Sequence, residues 1–132
     1  MTDETVEEIK RRKMEALQRQ EDASTPSEPI PIRDASQFET VLDDYSLVLV
    51  DCHAEWCGPC QQLKPIVARI AQETEATVAT VDIDAHQSLV ANWNIRSVPT
   101  LLLFADGTLV ERLVGVQPFE QLRQLLHRYE AP

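Results

Sequence analysis

Leu47-Val48-Leu49-Val50-Asp51-Cys52-His53-Ala54-Glu55-Trp56-Cys57-Gly58-Pro59-Cys60 decides the architecture. Four consecutive aliphatic residues, Leu47 to Val50, read as a strand covered on both faces, because a strand with one wet face alternates instead. The strand ends in a carboxylate, Asp51, and runs into a Cys-Gly-Pro-Cys turn. Beyond it, Leu63, Ile66, Val67 and Ile70 recur at i, i+3, i+4, i+7, the period of a helix with one apolar face. Pro59 suits the first helical position, where a missing N–H costs little. Pro65 deletes the hydrogen bond to the Gln61 carbonyl and predicts a kink.

Working outward, strand and helix signals alternate. Toward the N-terminus, Ile30-Pro31-Ile32 is a short run that its proline confines to a sheet edge. Asp34 with Gln37 caps a helix carrying Phe38, Val41 and Leu42. Toward the C-terminus, Thr77 to Ile83 is rich in β-branched residues and predicts a strand. Asp84 is the expected cap of a short helix that stops at Asn94, with Trp93 as a core residue. Thr100 to Phe104 and Leu109 to Val114 flank Asp106-Gly107, a strong hairpin signal. A last helix follows Pro118, with Phe119, Leu122, Leu125, Leu126 and Tyr129 on its apolar face. The order is βαβαβαββα, an α/β fold with a central mixed sheet flanked by helices, parallel at its crossovers and antiparallel at the final hairpin.

Residues 1–28 read as an appendage to a single domain at 29–132. Thr5-Val6-Glu7-Glu8 has capping-box form, and Glu7/Arg11, Glu8/Arg12 and Glu15/Arg19 are i,i+4 acid–base pairs. The apolar stripe of Val6, Ile9, Met14 and Leu17 is thin for a stable helix, and residues 21–31 have linker composition.

The chain has 132 residues, of which 12 are Lys or Arg and 22 are Asp or Glu, for a formal net charge of −10. Such a field repels phosphate backbones, which excludes nucleic acid as a natural partner. The longest unbroken apolar run, Leu101 to Ala105, falls far short of the ~20 residues of a membrane helix. The N-terminus carries no signal-peptide pattern, so a cytoplasmic location is expected. The acidic surplus, with three Lys beside nine Arg, also suits a salt-rich cytoplasm.

The chemistry lies in the dithiol. A cysteine at a helix N-terminus meets free N–H groups and the positive end of the helix dipole, so Cys57 should ionise below the ~8.5 of an unperturbed thiol. The two-residue spacing puts Cys60 within bonding reach. Such a pair can attack a disulfide, form a mixed disulfide and close on itself. Independently, Asp51 at the end of a buried strand should have a raised pKa through desolvation. Cys52 should point away from Asp51 as a small core hydrophobe, and His53 should share the Asp51 side. The competing reading is zinc, held by Cys52, His53, Cys57 and Cys60; divergent side chains and the lack of a second CxxC argue against it. Covalent haem needs a histidine where Gln61 stands. No metal and no cofactor are expected, and no Gly-rich nucleotide loop exists. His86 and His127 read as surface groups.

The stretch Val50 to Cys60 resembles the active-site strand and turn of the thioredoxin family. Ser97-Val98-Pro99-Thr100-Leu101-Leu102-Leu103-Phe104 resembles its cis-proline segment, and Asp106-Gly107 with Val114-Gly115 its last hairpin. The likeness spans roughly residues 30–130 and implies a thioredoxin fold. It implies that Cys57 is the solvent-facing nucleophile and Cys60 the buried resolving thiol, the two forming the redox disulfide. Asp51 would relay the Cys60 proton. Pro99 would be cis, with Val98 offering backbone groups to an extended client. Trp56, Gly58, Pro59, Val98, Pro99 and Gly115 would dock the client. The sequence departs from the family at Cys52 and His53, where aromatic residues are usual, and at Thr80, where a lysine often stands. The implied activity is protein-disulfide reduction by a monomer, with electrons from a separate thioredoxin reductase and client proteins with disulfides as substrates. A redox-responsive binding protein, or an oxidase or isomerase, is the alternative.

Overall fold

The computed structural model describes residues 26–130. The expected N-terminal helix lies outside the described residues, as does most of the expected appendage.

Five strands form one sheet in the order β1-β3-β2-β4-β5. They are β1 (Ile30–Pro31), β2 (Leu47–His53), β3 (Thr77–Asp82), β4 (Thr100–Ala105) and β5 (Thr108–Val114). The helices are α1 (Ala35–Asp44), α2 (Gly58–Glu73), α3 (Gln87–Val90) and α4 (Phe119–His127), with a 3-10 turn at Ala91–Trp93. β2 is central and runs parallel to β3, and β1 pairs parallel to β3 at the edge, where its proline is tolerated.

One expectation needs correction. The sheet is not parallel at every crossover: β4 pairs antiparallel with β2, from Leu47↔Ala105 to Cys52↔Thr100. The connection through α3 and the 3-10 turn returns the chain to the same end of the sheet, which reverses the direction of the next strand. The β4–β5 hairpin is antiparallel as expected. Asp106 and Gly107 both hold positive φ, 50° and 82°, the pair of left-handed residues that matches strand twist in a two-residue turn.

The two-residue period of β2 sorts its side chains onto two cores. Leu47 and Leu49 pack with Leu63, Val67 and Ile70 of α2 and with Leu122 and Leu126 of α4. Val48, Val50 and Cys52 pack with Phe38 and Val41 of α1 and with Phe104. Trp93 closes that second core, its ring 5.2 Å from Phe38 and 6.1 Å from Phe104. Each fully buried Leu, Ile or Val contributes roughly 1.5–3 kcal/mol. The alternation leaves Asp51 and His53 on the α2 side, where Cys60 and Lys64 also lie.

Side-chain capping fixes the start of α1. Asp34 Oδ1 accepts the Gln37 N–H at 2.7 Å, while Gln37 Oε1 accepts the Arg33 N–H at 2.6 Å, a capping box shifted back by one residue. α2 continues through Pro65 to Glu73. Asp84 does not cap α3: the preceding turn is built by Asp82, whose Oδ1 accepts from Asp84 N and Ala85 N. Asn94 ends the stretch in the left-handed region, φ 54°.

Candidate active site

Cys57 is the N-cap of α2, so Gly58 is the first helical residue and Pro59 the second. The Cys60 N–H donates to Cys57 Sγ at 3.1 Å. That bond places an N–H of the helix's first turn on the sulfur that must carry negative charge, which favours a thiolate there. The two sulfurs are joined, with S–S 2.25 Å and Cα–Cα 5.3 Å. Cys52 is a free cysteine and buried.

A second segment closes over the pair. The Val98–Pro99 peptide is cis. Val98 packs against Ala54, Cys57 and Cys60, and its carbonyl oxygen lies 3.6 Å from Cys57 Sγ. The Gly115 N–H donates to the Pro99 carbonyl at 2.8 Å, which ties the end of β5 to the same rim. Gly115 has φ 91°, a conformation that favours glycine. Trp56, Gly58 and Pro59, the chain neighbours of the two cysteines, are exposed.

The expectation of a solvent-facing Cys57 does not hold for the disulfide: Cys57 and Cys60 are each only 4% exposed. The open surface belongs to Trp56, 71% exposed, whose Nε1–H donates to Asp84 Oδ2 at 2.8 Å. Asp84 was readable in sequence only as a helix cap; its partner stands 28 residues away, and no local signal links them.

Behind the disulfide a cavity of about 700 Å³ is lined by Asp51, His53, Cys60, Lys64 and Thr80, among others. Asp51 is 4% exposed, and its Oδ1 is buried without a hydrogen-bond partner. Burial pushes its pKa up to about 7 from 3.8. Thr80 stands opposite Asp51 in the β2–β3 register and supplies no charge. Burial also raises the Cys52 thiol, with help from the Asp51 charge, to about 12. His53 is half-buried and its pKa is lowered, first by burial.

The structure therefore places Val98 against Cys57 and Cys60 and ties Gly115 to Pro99, next in sequence to Val98, while Asp51 and Cys60 line one cavity. It separates the four residues of the zinc alternative: Cys52 lies in the α1-side core and His53 on the opposite face of β2.

A sequence model of the family Thioredoxin matches residues 29–128. The chain belongs to the thioredoxin family. It is 43% identical over 96 residues to thioredoxin of Mycobacterium tuberculosis, covering 71% of this chain and 83% of that protein. A mutant thioredoxin from Halobacterium salinarum superposes with a TM-score of 0.78 at 42% identity, covering 82% of this chain and 97% of that one. A stretch of 98 residues is 39% identical to a bifunctional thioredoxin reductase/thioredoxin of Mycobacterium leprae, covering 73% of this chain and 21% of that protein. This thioredoxin-family protein is a thiol-disulfide oxidoreductase, with Cys57 and Cys60 at disulfide distance.

Proposed function

We propose that the protein works as a cytoplasmic disulfide reductase, a monomer that takes electrons from a separate thioredoxin reductase and passes them to client disulfides. The observation that carries the assignment of roles is the Cys60 N–H on Cys57 Sγ at the start of α2. In the reduced protein, Cys57 thiolate attacks a client sulfur, and the client's other sulfur leaves with the electron pair as a thiolate. Cys60 gives its proton to Asp51 and attacks Cys57 Sγ. The Cys57–Cys60 bond forms, the mixed disulfide breaks, and the client's second sulfur leaves as a thiolate. Both client thiolates can take protons from solvent.

The remaining groups position the client. Val98, next to the cis peptide, presents its backbone beside Cys57, suited to an extended segment laid along the rim. Trp56, Gly58, Pro59, Pro99 and Gly115 frame the approach. The reductase relative in Mycobacterium leprae, which joins both activities by name in one protein, supports an electron supply of that kind.

Insulin-disulfide reduction with dithiothreitol tests the activity. Many turnovers per protein molecule are expected; turnover no faster than dithiothreitol alone would leave only a stoichiometric redox-responsive binder. A Cys60→Ser variant should hold clients covalently on Cys57, and release them with reductant.

A further inference from the structure

The cavity behind Cys60 contains more chemistry than the exchange of sulfur bonds uses. Asp51 must shed each proton it accepts, yet it is buried, and its Oδ1 has no hydrogen-bond partner. Two residues further along the same face of β2 stands His53, half-buried and lining the same cavity. Residues i and i+2 on a strand are separated by roughly 6.5–7 Å between Cα atoms, within the reach of one bridging water between side chains.

We propose that His53 is a proton-relay residue, carrying the Cys60 proton from Asp51 to solvent. The inference rests on the Asp51 role proposed above. Cys60 thiol gives its proton to Asp51 carboxylate, Asp51 gives a proton through water to the neutral His53 imidazole, and His53 releases it outside. No electrons move in these steps.

The surroundings keep His53 in the form that can accept. Its cavity wall includes Lys64 from α2 and Asp82 and Thr80 from β3. Glu28 and His86 stand on the wall as well, and Glu55 follows on its own segment. Burial and the Lys64 cation favour neutral imidazole, opposed by Asp82 and Glu55; the net shift is downward from 6.5. At pH 7 the ring therefore has a free lone pair.

Stopped-flow mixing of the reduced protein with the chromogenic disulfide dithiobis-nitrobenzoate separates the two steps. The first thionitrobenzoate release reports Cys57 attack and depends on reagent concentration; the second reports Cys60 attack and does not. In His53→Gln the second phase should slow about tenfold at pH 7, with the first phase unchanged. The slowed phase should accelerate with imidazole-buffer concentration at fixed pH, whereas the parent stays flat. Equal slowing of both phases, a second phase within twofold of the parent, or a slowed phase insensitive to buffer would overturn the relay. Asp51→Asn run in parallel separates the two ideas. If it slows the second phase while His53→Gln does not, only the relay falls; if Asp51→Asn leaves the phase untouched, the Asp51 role falls with it.

Discussion

Asp51 is held in a state that works against folding. An unfolded chain titrates this carboxyl near 3.8, whereas burial in the fold moves it to about 7. Below 3.8 both states hold the proton, so the site costs little. Between the two values the unfolded chain releases the proton and the folded one retains it, so stability falls as pH rises. Above about 7 the loss is complete, on the order of 4 kcal/mol for a gap of that size. Asp51→Asn should therefore leave the pH 4 denaturation midpoint nearly unchanged and raise the pH 8 stability by a few kcal/mol, read from urea titrations at both pH values. Equal effects at the two pH values would mean that the carboxyl titrates normally in the fold. Cys52, next in sequence, makes the opposite kind of prediction. With its thiol pushed up to about 12 and buried against Val48, Val50 and Phe104, it should resist alkylation. Iodoacetamide at pH 8 on the reduced protein should label Cys57 readily and Cys52 only in denaturant, by peptide mass spectrometry. Labelling of Cys52 in the native protein at the rate of a free thiol would contradict its placement.

At the scale of elements, legibility followed the range of the cause. The Asp106–Gly107 turn was readable because its reason is local: two residues must take positive φ, and the sequence offers Asp-Gly. The α2 start was readable to within one residue: Pro59 was expected in the first helical position, and it stands second, because Cys57 caps a helix that begins at Gly58. The direction of β4 was not, since an aliphatic run looks the same whichever way it enters the sheet. Nor was the role of Asp84, whose partner Trp56 comes from a different segment. The burial of Cys57 was missed for the same reason, as Val98 covers it from 41 residues away. The two positive-φ glycines separate fold from function in a testable way. A Cβ at Gly107 or Gly115 would meet no atom within 4 Å, so alanine at either costs only the backbone strain. That strain is roughly 1–2 kcal/mol. Gly107→Ala and Gly115→Ala should lower the melting temperature by similar amounts. Only Gly115→Ala, whose new methyl group sits on the rim tied to Pro99, should also raise KM in insulin reduction. An equal KM for the two variants would remove Gly115 from the docking rim.

Across the whole molecule, two apolar cores on either side of β2 hold the sheet, and the surface carries the unbalanced charge. The net of −10 is only locally relieved: among the described residues the ion pairs are Arg69–Glu73 at 2.6 Å and Arg123–Glu120, and His127 contacts Glu130 in a pair that is ionic only when the ring is protonated. All three span three or four residues on or beside one helix, and exposed pairs of this kind contribute about 0–1 kcal/mol each. Diffuse repulsion among the surplus carboxylates outweighs them, so screening should stabilise the fold. The Debye length falls from about 10 Å at 0.1 M salt to about 3 Å at 1 M. A gain of about 1 kcal/mol corresponds to a melting-temperature rise of about 4–8 °C in a domain of up to 100 residues. Potassium chloride from 0.02 to 1 M at pH 7.5 should produce a rise of that order, steepest below about 0.3 M, where screening changes fastest. Preferential exclusion of salt would instead act near-linearly up to the highest concentration. Repeating the series near pH 4.6, the isoelectric point, removes the net charge and should flatten the curve. A melting temperature indifferent to salt at pH 7.5, or an equal rise at both pH values, would show that charge repulsion does not set the stability of this surface.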